Sequence, residues 1–415
     1  MAVKPADRDA VRFDLFDVET FASGHPHDAY DRMRELQPVW RHDGSATHPP
    51  FWALTRYADV QAVSLDGENF TSTRGFNVPT PRRTQFSPVI GRVLGRFMLT
   101  MDRPEHDDHR AIVASWLTPA ALRELEPRII QSLNDLMASL EGRQKVDFVT
   151  EVAAMVPIRT ICMVMGLDPE HEQKVFELTD AVFGSEDPDL SRSAEDASNR
   201  YLGLFDYAME VFEDRRRRPR KDLLTHLVTT TVGGRPLTDD ELKSNFVNLL
   251  AAGNETTRST LAGSIVALAR FPDQRRLLVE DPSLMGEGVN EILRFVSPVY
   301  QMARTALRPV EVGGQMIGEG EKVAMLYGAA NRDPSVFEDP HRLDLRRANA
   351  RKHLTFGVGV HHCLGQRLGL LQVKAILGEF LRRFPDYELD GAYAYVKNNF
   401  VAPMKRLPLR LSPDA

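Results

Sequence analysis

Apolar positions recur at helical spacing across most of residues 105 to 300, in segments such as HDDHRAIVASWL, ALRELEPRIIQSLNDLMASL, HEQKVFELTDAVFG and ELKSNFVNLLAAGNETTRSTLAGSIVALARF. Two-residue alternation is confined to PFWALTRYADV near residue 50, PVEVGGQMIGEGEKVAML from 309 and AYVKNNFVAPMKRLPLRL from 394. The pattern predicts a mainly α body with a minor β component. Gly313 and Gly314 suit a hairpin turn inside the second stretch. The segment TSTRGFNVPTPRRTQFSPVIGR (71 to 92) has three prolines and little periodicity, which predicts a long loop of the kind that often carries function. No repeat, low-complexity tract or linker divides the chain, so residues 1–415 are expected to form a single domain.

Composition changes this picture little. At 415 residues and 42% hydrophobic, the chain is long enough to bury a large core around a cofactor. A net charge of -6 argues against nucleic acid as the main partner. The run RRRRPRK (215 to 221) follows the amphipathic stretch YLGLFDYAMEVFED and precedes Pro219 in part, so it reads as cations at a helix C-terminus. Two cysteines, Cys162 and Cys363, are too few for a disulfide framework and match no zinc spacing. A reducing cytoplasm is expected. Nowhere do about 18 uncharged apolar residues run together, and MAVKPADRDAVRFD lacks a signal-peptide core, so no membrane contact is expected.

The chemistry concentrates in FGVGVHHCLG (356 to 365). His361, His362 and Cys363 are metal ligands, a nucleophile with its base, or the anchor of a larger cofactor. A zinc site needs three or four ligands, and no companions stand at usable spacing. A Cys–His nucleophile needs an orienting group and an oxyanion hole, which sequence neither shows nor excludes. A lone cysteine is more often a small buried hydrophobe. Here Gly357, Gly359 and Gly365 free the backbone for positive φ and for close approach to something flat and bulky, on which Phe356 is placed to pack. The amphipathic LGQRLGLLQVKAILGEFLRRF follows, so the sulfur stands near a helix N-terminus, whose dipole and free N–H groups stabilise a thiolate. Such a thiolate suits an iron.

This loop resembles that of the cytochrome P450 haem-thiolate monooxygenases, Phe-x-x-Gly-x-His/Arg-x-Cys-x-Gly, at Phe356, Gly359, His361, Cys363 and Gly365. The resemblance implies haem b as cofactor, with Cys363 as axial iron ligand and His361 on a haem propionate; His362 falls on a variable place. In LLAAGNETTRSTLAG, mid-helix threonines by themselves back-bond to a carbonyl one turn earlier, and a glutamate by itself sits on a solvated face. A threonine beside a glycine also opens a helix locally and makes a groove. The segment resembles the family's acid–alcohol element at Ala252, Gly253, Glu255 and Thr256, which implies dioxygen binding and proton relay.

Glu291 and Arg294 in EILRF share a helix face and resemble the family's structural Glu-x-x-Arg pair. Its third partner is expected from DPHRLDL at Arg342, although Leu343 replaces the usual phenylalanine. In MDRPEHDDHRAIV, His106 and Arg110 stand four apart, aimed to grip one anion. The resemblance gives them, with Arg304 of QMARTAL, the haem propionates, for which arginine–carboxylate bonding supplies the reason. His109 and Arg103 carry no such role, and Cys162 is expected in the core.

The matches run in order over most of the chain, and the family's soluble bacterial members are the nearest in kind. That implies O2, a hydrophobic small-molecule substrate, and electrons from a ferredoxin and its NAD(P)H-dependent reductase, docked on cations such as Arg110 and Arg367. A monomer is expected. The implied pocket comprises Phe76, Val78, Phe97, Met98, Leu249, Ala252, Val299, Met302, Phe400 and Val401, with Gln301 and Asn77 as orienting hydrogen-bonders. RTALRPVEVGGQMI and NNFVAP resemble the branch that oxidises terpenoids, steroids and branched or fatty-acid-like lipids. Two other readings stand beside it: a haem sensor, and a peroxide-using or isomerising haem-thiolate enzyme. Neither needs Glu255 and Thr256 as an oxygen-activating pair.

Overall fold

The computed structural model describes residues 13–45, 48–79 and 85–411. Its body is organised on one helix, Asp239–Arg270, about 48 Å long at 1.5 Å per residue. Thr238 starts it with a capping box: the Thr238 side chain accepts from the Glu241 N–H at 3.3 Å, and the Glu241 carboxylate accepts from the Thr238 N–H at 2.8 Å. Asp239, Asp240 and Glu241 oppose the dipole in the first turn, and Pro272 stops the helix after Phe271. Helices Met155–Met165 and Ala194–Arg217 pack on it, as do Met285–Val296 and Gln366–Arg383. A helix covered in this way is buried on nearly every face, so its polar residues are informative.

The β component flanks this body. Its five-stranded sheet runs Val39–His42, Phe51–Leu54, Lys322–Leu326, Gln301–Ala306 and Phe70–Thr71. The register of the central pair sets Met302 opposite Met325 and Arg304 opposite Val323. Gly313 and Gly314, at φ 54° and 79°, turn the hairpin Val310–Val312 to Gln315–Ile317, as the glycine pair implied. The C-terminal alternation gives Ala394–Tyr395, Met404–Arg406 and Pro408–Arg410, the last pairing with Lys145–Asp147. The fold is mainly α with a minor β component, as the periodicity predicts.

Three details depart from the periodicity. PFWALTRYADV is strand only over Phe51–Leu54; helix Tyr57–Leu65 follows, the Tyr57 N–H donating to the Asp333 carboxylate at 2.8 Å. The loop from residue 71 contains helix Pro88–Leu94 after residues 80–84, which lie outside the described residues. In the arginine run, Arg215 is not a solvated terminal cation. It is buried, donating to Asp222 at 2.6 Å and to the Gly166 carbonyl at 2.6 Å. Arg216, Arg218 and Arg220 pair with Asp239, Asp214 and Asp168, so carboxylates take up much of the run's charge. No helix among the described residues is long and apolar enough to cross a membrane.

Candidate active site

The cysteine loop lies between helix Met285–Val296 and the start of Gln366–Arg383. The Phe356 carbonyl accepts from the Cys363 N–H at 2.8 Å, folding the loop back on itself. Gly357 and Gly359 take φ 66° and 75°, where a side chain is strained, and a Cβ at Gly359 would stand 2.9 Å from the Ser64 carbonyl. Gly365 differs from expectation. It caps the next helix at φ -84°, and a Cβ there meets nothing within 4 Å, so open space rather than positive φ distinguishes it. The Cys363 sulfur opens on a cavity. Enclosure by protein pushes its thiol up, while the Gly365 and Gln366 N–H groups and the Arg110 charge pull the other way. Cys162, by contrast, is core as expected, its thiol pushed up to about 12 by burial.

That cavity holds about 680 Å³. Phe356, Gly357, His361, Cys363 and Gly365 line it from the loop, and Leu249, Ala252, Gly253 and Thr256 from the long helix. Phe76, Phe97, Met98, Val299, Met302, Phe400 and Val401 complete the apolar wall where expected. Val78 and Gln301 do not line it. Val78 is buried in the N-terminal core beside Phe13 and Leu15. Gln301 is fully buried and bonds the Val78 backbone, its Oε1 accepting from the N–H and its Nε2 donating to the carbonyl, each at 3.1 Å. Strand alternation is the reason: Met302 and Arg304 face the cavity, so Gln301 and Ala303 face away.

At one end the wall becomes cationic. His106, Arg110, Arg304 and His361 all line the cavity. The His106 and His361 rings stand 4.5 Å apart, and the Ser72 hydroxyl lies 3.1 Å from His361 Nε2. Arg304 is 7% exposed and donates to the Ala303 carbonyl at 2.8 Å; burial lowers its pKa. Burial and the Arg304, His106 and Arg110 charges hold His361 down to about 3. Cations crowded on one cavity wall repel one another and are relieved by an anionic ligand. His109 turns away toward Glu241 at 3.9 Å, and Arg103 pairs with Asp107 at 3.0 Å, as expected of residues without a role here. Arg110 faces inward, so of the two cations expected at a docking face only Arg367 is exposed.

Along the long helix the acid and the alcohol diverge. Thr256 lines the cavity and its Oγ1 donates to the Ala252 carbonyl at 2.8 Å. Glu255 does not line it. It is fully buried, accepting from Arg258 Nε at 3.0 Å and from Ser259 Oγ at 3.4 Å. The helix runs unbroken through this turn, so the local opening expected there is absent. Gly253 instead serves close packing: a Cβ there would stand 3.0 Å from Ile161 Cδ1. One turn either side of Ala252 and Thr256, Asn248 and Thr260 also line the cavity, and the helical period alone could have located them.

Behind the loop, Glu291 and Arg294 pair as expected, but Arg342 is not their partner. Its side chain is exposed, and only its carbonyl joins, accepting from Arg294 Nη2 at 3.2 Å. Arg347 takes the place, donating from Nε to both Glu291 oxygens at 3.1 Å. Arg294 Nη1 donates to the Asn331 carbonyl at 2.8 Å, Asn331 Oδ1 accepts from the Leu354 N–H at 2.7 Å, and Thr355 Oγ1 donates to the Leu293 carbonyl at 2.9 Å. These bonds tie the chain entering the cysteine loop to the buried ion pair.

A thiol opening on an apolar slot, with open space over Gly365 and paired cations at one end, fits a flat apolar dianion with a metal at its centre. The sequence profile of the family described as Cytochrome P450 matches residues 10–388. Linalool 8-monooxygenase of Pseudomonas putida is 32% identical over 409 residues, 97% of this chain and 99% of that one. A methyl-branched lipid omega-hydroxylase of Mycobacterium tuberculosis is 33% identical over 366 residues, 87% of this chain and 84% of that one. The structure of a Mycobacterium marinum cytochrome P450 in complex with pseudoionone matches at a TM-score of 0.87 and 33% identity, over 99% of this chain and 100% of that one. The chain belongs to the cytochrome P450 family: it is a monooxygenase of the bacterial kind, and haem b is the cofactor its cavity takes.

Proposed function

We propose that the chain hydroxylates a small to medium terpenoid, steroid or fatty-acid-like molecule with O2, using two electrons from a ferredoxin and its NAD(P)H-dependent reductase. One oxygen atom enters a C–H bond; the other leaves as water with two protons. The observation that carries this reading is the meeting of Cys363 and Thr256 in one apolar cavity. Haem, when bound, supplies the activation of O2. The chain supplies the rest. Cys363 holds the iron as thiolate, favoured by the Gly365 and Gln366 N–H groups. His106, Arg110, Arg304 and His361 bind the propionates, and Phe356 packs on the ring beside Gly357.

Thr256 presents a hydroxyl over Ala252 and Gly253 to position a proton at the site of oxygen reduction. Glu255, paired with Arg258, lies one residue behind Thr256 and outside the cavity, so any part it takes in the proton relay would run through that ion pair. Glu291, Arg294 and Arg347 hold the loop in place. Phe76, Phe97, Met98, Leu249, Val299, Met302, Phe400 and Val401 exclude water and take the substrate. The cavity volume is shared with the cofactor, which favours a molecule of modest size. The activities for which two relatives are named, on linalool and methyl-branched lipids, support that class. We further take residues 1–415 as one domain, monomeric and cytoplasmic, with Arg367 at the ferredoxin face.

Two measurements test the reading in turn. The dithionite-reduced, carbon monoxide-treated protein is expected to show the red-shifted Soret band of thiolate-bound haem. With ferredoxin, reductase, NADH and linalool or a methyl-branched fatty acid, NADH consumption is expected to match hydroxylated product. A thiolate-type band with product from peroxide but none from NADH would replace the proposal with the peroxide-using reading; a histidine-type band would remove Cys363 from the iron.

A further inference from the structure

We propose that Asp187 and Lys405 form an ionic latch that shuts the cavity, and that a ligand enters and leaves when this latch opens. The latch ties the connection between helices Glu172–Phe183 and Ala194–Arg217 to the C-terminal hairpin of Ala394–Tyr395 and Met404–Arg406. It governs access to the cavity and holds for any substrate class.

Two segments of the cavity wall meet here. Phe183 and Tyr201, from the two helices, line the cavity, as do Phe400 and Val401, from the hairpin segment. Asn398 bridges the segments: its Nδ2 donates to the Phe183 carbonyl at 2.8 Å, and its Oδ1 accepts from the Phe400 N–H at 2.6 Å. The hairpin side is fixed to the sheet region. Val299 and Val401 form a β bridge, the Tyr300 N–H donates to the Phe400 carbonyl at 2.9 Å, and the Ala402 N–H donates to the Pro298 carbonyl at 2.8 Å. The moving side is therefore the connection, residues 184–193.

That connection is organised on one carboxylate. Connections ordinarily run over the surface, yet Gly184, Ser185, Glu186 and Asp187 are all buried. Asp187 folds the turn around itself, its carbonyl accepting from the Leu190 and Ser191 N–H groups at 3.0 and 2.8 Å, and its Oδ1 from the Asp189 N–H at 3.0 Å. The same carboxylate reaches the hairpin: Oδ2 accepts from the Lys397 N–H at 2.8 Å, and Lys405 Nζ donates to Oδ1 at 2.8 Å. Lys405 also donates to Asp189, whose side chain is 72% exposed, so water and salt reach the lysine end. Desolvation of the buried carboxylate offsets much of its attraction to Lys405, while the parted charges are hydrated. Closed and open arrangements then lie close in free energy, which distinguishes a gate from a fixed joint.

The test follows 4-phenylimidazole binding to the iron of the haem-loaded protein by stopped-flow absorption. Salt stabilises the parted charges, so wild-type association and dissociation rates are expected to rise together about threefold or more between about 0.05 M and about 1 M sodium chloride, with affinity kept. Lys405→Met is expected to raise both rates about tenfold or more at low salt and to abolish the salt response, and Lys405→Arg to restore both. Glu19→Gln, which breaks the Lys397–Glu19 ion pair on the same hairpin, is expected to leave the rates at wild type. Wild-type rates that ignore salt would overturn the latch without any variant. Wild-type rates in Lys405→Met, with its carbon monoxide spectrum intact, would do the same. Faster dissociation with weakened affinity in that variant would also overturn it, since Lys405 would then be packing the wall. None of these outcomes bears on the substrate class, which 4-phenylimidazole does not report.

Discussion

Glu291 and Arg294 hold each other twice, Nε to Oε2 and Nη2 to Oε1, both at 2.7 Å, with neither side chain exposed. Arg347 closes on the same carboxylate from the segment before the cysteine loop, so one anion is shared by two guanidinium groups. Removing one member of a buried pair leaves the other uncompensated, a loss of about 3–5 kcal/mol. Glu291→Gln is therefore expected to lower unfolding stability by about that amount, read in urea titrations. Arg342→Ala, whose side chain is exposed, is expected to stay within about 0.5 kcal/mol. Equal losses in the two variants would show that the shared carboxylate is not what holds the segment.

The contrast between Arg342 and Arg347 also shows where sequence reading ends. The pair at Glu291 and Arg294 is legible because a helix puts residues three apart on one face. Arginines at 342, 346 and 347 sit in irregular chain, where spacing carries no direction. Likewise the long helix, the back-bonded Thr256 and the glycine-rich loop follow from local pattern. Gln301 and Met302 cannot both face the cavity, because successive strand residues point to opposite faces, and the pairing with Lys322–Leu326 decides which of the two turns inward. The motif groups Glu255 with Thr256 for dioxygen binding and proton relay, but a motif names neighbours in sequence, whereas successive helical residues point about 100° apart.

Thr256→Ala tests the divergence of Glu255 and Thr256. The hydroxyl's own proton is engaged at the Ala252 carbonyl, so stability is expected to change by less than about 1 kcal/mol. What changes is partition: NADH consumption continues while hydroxylated product falls and hydrogen peroxide rises in proportion. Thr256→Ser is expected to restore much of the product. Coupling equal to wild type in the alanine variant would remove Thr256 from proton delivery.

His25 makes stability depend on acid. It is buried, its Nε2 lies 2.6 Å from the Ser297 carbonyl, and burial, with Arg332 nearby, pushes its pKa from 6.5 down to about 4. His27 and His341 share the site with Arg34 and Asp31, and burial holds His27 low as well. A folded pKa below the unfolded value means the unfolded chain takes the proton first. Stability is therefore full above about pH 6.5 and is lost as pH falls toward 4, by up to about 3 kcal/mol from this group. Melting temperature is expected to decline over that window and His25→Gln to decline less steeply. Parallel curves would assign the acid sensitivity elsewhere.

Arg304 and Arg110 separate cofactor binding from folding. Arg304 is buried beside Arg110, His106 and His361, and burial alone disfavours its charge, so without an anionic ligand it costs stability. A haem propionate reverses that sign, since a charge-assisted hydrogen bond contributes about 1.5–3 kcal/mol. Arg304→Leu is thus expected to leave the haem-free protein as stable as wild type or more so, yet to speed haem transfer to apomyoglobin about tenfold or more. Arg110→Leu is expected to act in the same direction. Arg103→Leu, which removes an exposed cation paired with Asp107, is expected to leave haem transfer unchanged. A haem-free Arg304→Leu protein that is destabilised, with wild-type haem retention, would make Arg304 a packing residue of the sheet instead of a propionate ligand.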